Sequence, residues 1–387
     1  MTNMKPLSKT LQTMPGYGIP LVLDKAVNVS ECIRLEAGEP NYVTPKYICD
    51  AAARAMEEGY TKYTPLLGYA SVREAIARDN SEKVGRRIDL SEVIVTTGAT
   101  MALHNALRAV AEEGDEVLLP DPCWPAYKMQ LHSLGLKAVP YLMDEKNGMM
   151  PTREGIESLI TPKTSVIIVN SPSNPTGAVF DEATIRMMID LAVQYDLYVI
   201  SDEIYDFLTY DGVKALSFKR FDPDGRVIMI GGASKKYAMP GWRIGFAIAQ
   251  PEIVQLMGRV MTTYGMNTCC IAQKAYEAAI TGPQDFVRES VESYRDRRDT
   301  TLAICREANV PVFSPQGAFY LWIDISASGM SADRFAEVLF ERHLVGVAPG
   351  PAFGASGEGK IRVSIATEKE ALCRGVRWIC ELVNENR

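Results

Sequence analysis

The chain has 387 residues, 47% of them hydrophobic, with a formal net charge of −7. That length points to a large domain with a smaller companion, and that apolar share can bury a substantial core. The acidity is mild and mainly implies solubility, and nothing predicts a nucleic-acid-binding face. Three scattered histidines (His104, His132, His343) argue against a metal site, and eight cysteines without a C-x-x-C pair argue against a disulfide scaffold.

In chain order, residues 1 to about 30 read as an irregular arm broken by Pro15, Gly16, Gly18 and Pro20. The start lacks a long apolar core, so no signal peptide is expected, and no apolar run is long enough to span a bilayer. With the unpaired cysteines, this points to a reduced, cytoplasmic protein. "EPNYVTPKYICDAAARAMEEG" is a turn leading into a helix, and "SVREAIARDNSEKVG" is a second helix. Strands and helices then alternate: "EVIVTT" and "ATMALHNALRAVAEE", "DEVLLP" and "PAYKMQLHSLG", "TSVIIVNSP" and "DEATIRMMIDLAVQYD". "LYVISDE", "RVIMIGG" and "RIGFAIA" are further strands. Near-continuous apolar strands in such alternation predict an α/β fold, with a mostly parallel sheet covered on both faces. The long charged helix "PQDFVRESVESYRDRRDTTLAICREA" leads to "GAFYLWIDIS", "SADRFAEVLFERH", "GKIRVSIAT" and a last helix, which suit a smaller α+β domain. Gly-rich "GPAFGASGEG" is a loop without a phosphate-loop signature.

Ligands of open parallel sheets bind beyond the carboxyl ends of the strands. Here those ends deliver Gly98, Ala99 and Thr100; Asp121 and Trp124; Ser171 and Asn174; Asp202 and Tyr205; and Ser234 and Lys235. Each stretch alone has a plain reading as a turn, a packing residue or a solvated loop, the Lys235-Lys236 pair included. Together they carry a chemistry. A helix start at Gly98 offers free N–H groups to a phosphate, and Arg243 adds a guanidinium for the same anion. Asp202, at the end of a buried strand, calls for a cationic partner. Trp124 offers a flat apolar face and Lys235 an amine that is nucleophilic when deprotonated. Phosphate, ring, ring cation and aldehyde together describe pyridoxal 5'-phosphate.

On these residues the sequence resembles the class I/II aminotransferases of the fold-type I pyridoxal-phosphate-dependent enzymes, from about residue 30 to the end. "GASKKYAMPGWRIG" resembles the family's Schiff-base lysine signature; it implies Lys235 as that lysine and Arg243 as a phosphate ligand, with Lys236 structural or solvent-facing. "SPSNPTGAV" implies Asn174 as donor to the cofactor's phenolic oxygen, and "SDEIYDFL" implies Asp202 as partner of the ring nitrogen and Tyr205 as a second contact to that oxygen. "TTGATMAL" resembles the phosphate-cradling turn (Gly98, Ala99, Thr100), and "DPCWPAY" puts Trp124 on the ring. "YTPLLGYASVREAIA" resembles the segment whose tyrosine, here Tyr63, reaches the phosphate of a neighbouring subunit. "GKIRVSIAT" implies Arg362 for the substrate carboxylate. "LEAGEPNYVTP", with Gly38, and "VAPGPAFG" resemble the loops that close the substrate pocket.

The resemblance implies a mostly parallel seven-stranded sheet sandwiched by helices. It divides the chain into an N-terminal arm and part of a small domain (1–45), a large cofactor-binding domain (46–285) and a small C-terminal domain (286–387). It further implies a homodimer with shared sites that moves an amino group between an L-amino acid and a 2-oxo acid by ping-pong kinetics, with Lys235, Asp202 and Tyr205 catalytic and no metal, nucleic acid or membrane involved. Two departures bear on this. Gly232 stands where some members place a serine on the phosphate, which leaves that task to Ser234 and Thr100. Pro240 stands where many transaminases have Ser or Thr and also resembles aminocyclopropane-carboxylate synthases. The alternative is therefore the same scaffold with another outcome: elimination or lysis, cyclisation, or oxidation. A regulator with this fold would need an added DNA-binding domain, for which a match beginning by about residue 30 leaves no room. Some aspartate transaminases of this branch carry a lysine for the distal carboxylate where this chain has Thr100, which disfavours a dicarboxylate unless another basic residue substitutes. Tyr17, Tyr42, Trp124 and Tyr127 would tolerate an apolar or aromatic side chain.

Overall fold

A computed structural model describes residues 5–16 and 31–385. Tyr17, Gly18 and Pro20 lie outside the described residues. Within the expected irregular arm, Lys9–Gln12 instead forms a single helical turn, because the Ser8 side chain accepts a hydrogen bond from the Leu11 amide and caps it. The first strand, β1 (Ile33–Arg34), is followed by helices α1 (Lys46–Glu57) and α2 (Ala70–Val84). Gly85 ends α2 in the left-handed conformation, φ 78°, that glycine adopts without strain.

Then come β2 (Val93–Thr96), α3 (Ala99–Val110), β3 (Glu116–Asp121), α4 (Ala126–Ser133), β4 (Lys137–Leu142), β5 (Thr164–Asn170), α5 (Glu182–Gln194), β6 (Tyr198–Asp202), β7 (Val227–Gly232), the short α6 (Ala233–Lys236) and β8 (Gly245–Ile248). These strands form one seven-stranded sheet in the order β2-β8-β7-β6-β5-β3-β4. The pairs from β4 through β7 are parallel, whereas β8 runs antiparallel to both its neighbours. Strands β2, β3 and β8 are buried along their whole length, as apolar runs covered on both faces should be. Leu103, Leu107, Val254 and Met257 pack on one region of the sheet; Ile185, Met188 and Ile189 of α5 pack on another, and Ile48, Ile76 and Tyr276 on a third.

Strand β4 and the two helices after β8 are among the elements that had no counterpart in the sequence reading. Strand β4 holds Pro140 and is mostly exposed; an edge position tolerates both, since a proline there forfeits no ladder bond. Helices α7 (Pro251–Thr262) and α8 (Cys270–Thr281) fill the stretch after β8. Proline near the start of α7, with Ile253, Val254, Met257 and Met261 on one buried face, was a legible helix signal.

The chain continues through α9 (Asp285–Glu307), β9 (Val312–Phe313), β10 (Tyr320–Asp324), α10 (Ala332–His343), β11 (Val345–Gly346), β12 (Ala348–Pro349), β13 (Lys360–Ser364) and α11 (Lys369–Asn384). Strands β12-β13-β10-β9 form an antiparallel sheet, in which Arg362 sits opposite both Trp322 and Ala348. A separate apolar cluster, including Phe319, Phe335 and Leu339, lies under it. Strand β1 pairs parallel with β11, so a residue from early in the chain joins this late unit. Among the described residues, no helix is long and apolar enough to cross a membrane.

Candidate active site

The carboxyl ends of β2, β3, β5, β6 and β7 meet at one edge of the large sheet. Because β8 runs the other way, its amino end meets them there, with Gly245 opposite both Thr96 and Gly232. This reversal brings Arg243 to the same edge as Lys235. A cavity of about 510 Å³ opens at this edge, within the range of small-molecule sites. Ala99, Thr100, Trp124, Asn174, Asp202, Tyr205, Ser234, Lys235, Arg243, Arg362 and Gly38, all singled out from the sequence, line it.

One end is shaped for an anion. Helix α3 begins at Gly98, φ 81°, without a side-chain cap, so its first amides are left for a ligand. Gly98 itself lies against Arg243: a Cβ there would come within 2.7 Å of the guanidinium Nη2. A Cβ on Gly245 would meet the Ala99 nitrogen at 2.5 Å, so glycine here lets the helix start sit directly on the sheet edge. Arg243 holds a left-handed φ of 53° while its Nη1 donates to the Pro240 carbonyl at 2.7 Å. For a non-glycine residue that conformation is uncommon, and such outliers cluster at functional sites.

Lys235 stands beside this anion end, and its Nζ donates to the Gly38 carbonyl. Burial pulls its pKa down to about 8; Arg362 and Arg243 push the same way, against Glu39 and Asp202. A lysine so tuned has a usable neutral fraction near neutral pH. Asp202 ends β6 and is buried. Burial raises its pKa, while a 2.6 Å hydrogen bond from the Tyr127 hydroxyl, the Ile204 amide and the Lys235 charge oppose the rise. Its side-chain hydrogen-bond partner is thus a tyrosine, and no cation forms an ion pair with it among the described residues.

Arg362, almost wholly buried, crosses from the small sheet into the cavity. Its Nη1 donates to Asn174 Oδ1 at 3.0 Å and its Nη2 to the Glu36 carbonyl. Its guanidinium lies 4.4 Å from the Tyr320 ring centre and 4.8 Å from that of Phe353, which fixes its plane. Its Nε is buried without a partner, a cost that an arriving carboxylate would remove.

Sequence reasoning missed several supporting side chains. Asn170, paired with Asp202 in the sheet, donates to the Asp202 carbonyl at 2.9 Å and accepts from the Asn174 amide at 2.8 Å, locking both. Tyr320 meets the Tyr205 hydroxyl at 2.7 Å and lies so near Gly38 that a Cβ there would come within 2.7 Å of it. In the sequence Tyr127 reads only as an aromatic, although it sits three residues after Trp124 and packs edge-on to it. Arg34 and Glu36 also line the cavity. Lys236 turns away and pairs with Asp79 at 3.4 Å. Tyr63 is not on this lining; its ring lies on the surface, 83% exposed.

Glu203, next to Asp202, faces the opposite side of β6. Its Oε1 accepts from the Ser201 and Ser217 hydroxyls and the Phe218 amide. Burial, aided by the Asp206 charge, nonetheless lifts its pKa to about 7. The folded state then holds a proton that the unfolded chain releases near its ordinary pKa of 4.5, so stability falls as pH rises from there to about 7. Glu203→Gln keeps the accepting oxygen. At pH 8 it should stabilise the protein by on the order of 3 kcal/mol and raise Tm, with much less gain at pH 5. Equal gains at both pH values would show that Glu203 does not titrate in this window.

The sequence matches the family Aminotransferase class I and II over residues 30–378. It is 35% identical over 363 residues to an aspartate aminotransferase of Pyrococcus horikoshii, covering 92% of each chain. It is 36% identical over 381 residues to an aspartate/prephenate aminotransferase of Thermus thermophilus, covering 95% of this chain and 96% of that one. The solved structure of a Thermus thermophilus aspartate aminotransferase with maleate superposes with a TM-score of 0.93 at 35% identity, over 98% of this chain and all of that one. With the seven-stranded sheet and the lysine-bearing cavity at its edge, these likenesses make the chain a member of the class I and II aminotransferase family, of fold type I.

Proposed function

We propose that this aminotransferase uses pyridoxal phosphate held through Lys235 to move an amino group between an L-amino acid and a 2-oxo acid. The observation that carries the reading is Lys235 itself. Its amine, with a pKa lowered to about 8, lies in one cavity with an uncapped helix start, a buried carboxylate and a partly unsatisfied arginine. The residues fit the cofactor. The α3 amides at Ala99 and Thr100, with Ser234 and Arg243, would hold its phosphate. Trp124 would lie on its ring, Asp202 would face the ring nitrogen, and Asn174 and Tyr205 its phenolic oxygen. A serine at position 232 would bring its Cβ to 3.0 Å from the Ile244 carbonyl oxygen, which supports assigning the hydroxyl contacts to Ser234 and Thr100.

Pyridoxal phosphate, when bound, supplies an aldehyde for the substrate amine and a conjugated ring that takes up the electron pair left on Cα. The chain does the rest. Arg362 and Asn174 hold the α-carboxylate, which sets the Cα–H bond toward Lys235. The neutral Lys235 Nζ takes the Cα proton and later gives it up again, acting in turn as base and acid. Asp202, whose charged form the Tyr127 hydroxyl and the Lys235 charge favour against burial, would face the ring nitrogen and favour a proton there. The Gly38 loop and the Tyr320 ring cover the cavity and limit water.

Tyr63 we assign to the phosphate of a second copy, so that the working unit is a homodimer; sedimentation as a monomer would remove Tyr63 from the site. The eight unbridged cysteines support a reducing, cytoplasmic setting. The relatives named for aspartate support an amino-acid donor of that kind. The test is a half-reaction. The loaded protein is mixed with single amino acids and no 2-oxo acid, and the cofactor absorbance and product mass are recorded. One equivalent of oxo acid with aminated cofactor is expected; ammonia, a cyclised product or oxygen uptake instead would assign the scaffold to another reaction.

A further inference from the structure

Four cationic side chains line the cavity: Lys235, Arg243, Arg362 and Arg34. The first three have tasks in the reading above; Arg34 has none. Its position follows from strand alternation. Ile33 and Leu35 point into the apolar cluster under the small sheet, so Arg34 and Glu36 point the other way, into the cavity. The same short segment covers the site, since its next carbonyls, at Glu36 and Gly38, accept from Arg362 and Lys235. Arg34 therefore lies on the wall of the same cavity, two residues before the carbonyl that Arg362 holds.

The Arg34 guanidinium is seated in one direction. Its Nε donates to Glu36 Oε1 at 2.8 Å, and the Glu36 side chain is completely buried. The terminal nitrogens Nη1 and Nη2 have no hydrogen-bond partner among the described residues, and the side chain is 40% exposed. A guanidinium anchored at one edge with its outer fork free is the group that takes a carboxylate in bidentate fashion. Glu36 Oε2 is buried without a partner, which marks the pair as built at some cost to stability rather than as an idle surface contact. From α3, Thr100 offers only a hydroxyl.

We propose that Arg34, positioned by Glu36, recognises the side-chain carboxylate of the substrate, making the preferred donor an acidic amino acid. This rests on the reading of Lys235 and Arg362 given above. The unpartnered Glu36 oxygen marks the opposite alternative, a substrate with an amine-bearing side chain, and the experiment separates the two.

Arg34→Gln and Glu36→Gln holoenzymes are compared with the wild type. Half-reaction kcat/KM is measured for aspartate, glutamate, alanine and ornithine, and maleate binding is measured by calorimetry. For Arg34→Gln, the ratio of kcat/KM for aspartate over alanine should fall about 100-fold, mostly through KM, with maleate binding weakened to a similar degree. Glu36→Gln, which keeps an oxygen to accept from Arg34 Nε but removes the charge that holds the guanidinium, should lower the same ratio about 10-fold. Equal losses for aspartate and alanine would show a structural role, and an unchanged ratio would remove Arg34 from recognition. Either result overturns the proposal while leaving the Lys235 reading intact. A wild type that prefers ornithine and loses that preference in Glu36→Gln overturns it in favour of Glu36. If no amino acid reacts, the transamination reading fails, and maleate affinity unaltered by Arg34→Gln would overturn the Arg34 proposal separately.

Discussion

Lys235→Met should lower the single-turnover rate with any amino acid by at least about 10,000-fold, while the protein folds as before. Losing a positioned acid–base group accounts for up to about 5.5 kcal/mol of barrier by itself, and loss of the covalent hold on the cofactor adds to this. The stability side carries the opposite sign and so distinguishes a catalytic from a structural lysine. The folded pKa of about 8 lies below the ordinary 10.5, so the lysine is held at a cost that is full below pH 8 and vanishes as pH rises through 10.5. Near pH 7 that cost is on the order of 2–3 kcal/mol, less whatever its bond to the Gly38 carbonyl returns. The cofactor-free Lys235→Met protein should therefore melt higher than the cofactor-free parent at pH 7, and the difference should shrink toward pH 10. A lower melting temperature at pH 7 would mean that the chain keeps this lysine for packing, as an ordinary core residue.

Asp202→Asn should lower turnover about 1,000-fold, near 4 kcal/mol, with the yellow colour of the loaded protein retained. The substitution preserves volume and can still accept from the Tyr127 hydroxyl, so the 2.6 Å contact survives while the charge is lost. Without that charge Asp202 could no longer favour a proton on the ring nitrogen, and the cofactor would be a poorer acceptor of electrons from Cα. The hold of Lys235 on the cofactor would not depend on it. Asp202→Glu restores the charge at a shifted position and should recover part of the rate. Normal turnover in Asp202→Asn would sink the assignment of Asp202 to the ring nitrogen. Loss of colour together with rate would instead mean that Asp202 mainly holds the shape of the strand end.

Much of the fold is legible in the sequence. The apolar runs at 93–96, 116–121, 164–170, 198–202 and 227–232 read as buried strands because only a sheet covered on both faces lets so many successive side chains be apolar. Strand β4 escaped because Pro140 and exposed neighbours belong to an edge, and which strand is an edge is a property of the whole sheet. Lys235, Asp202, Asn174 and Arg243, which line one cavity, could be singled out from the sequence because each sits in its own local motif. Tyr127, Asn170 and Tyr320 were not, since their roles consist only of contacts made across strands.

What the sequence determined alone was the set of local elements, with a helix start at Gly98 and a lysine just after a buried strand. Those depend on dihedral preference and on apolar periodicity, which act over a few residues. The direction of β8, which carries Arg243 to the Lys235 edge, came only with long-range packing. So did the pairing of β1 with β11, which sets Arg34 and Glu36 beside the late-chain Arg362. Strand direction and distant pairing are settled by which surfaces can be buried together, and that free energy belongs to no single stretch of chain.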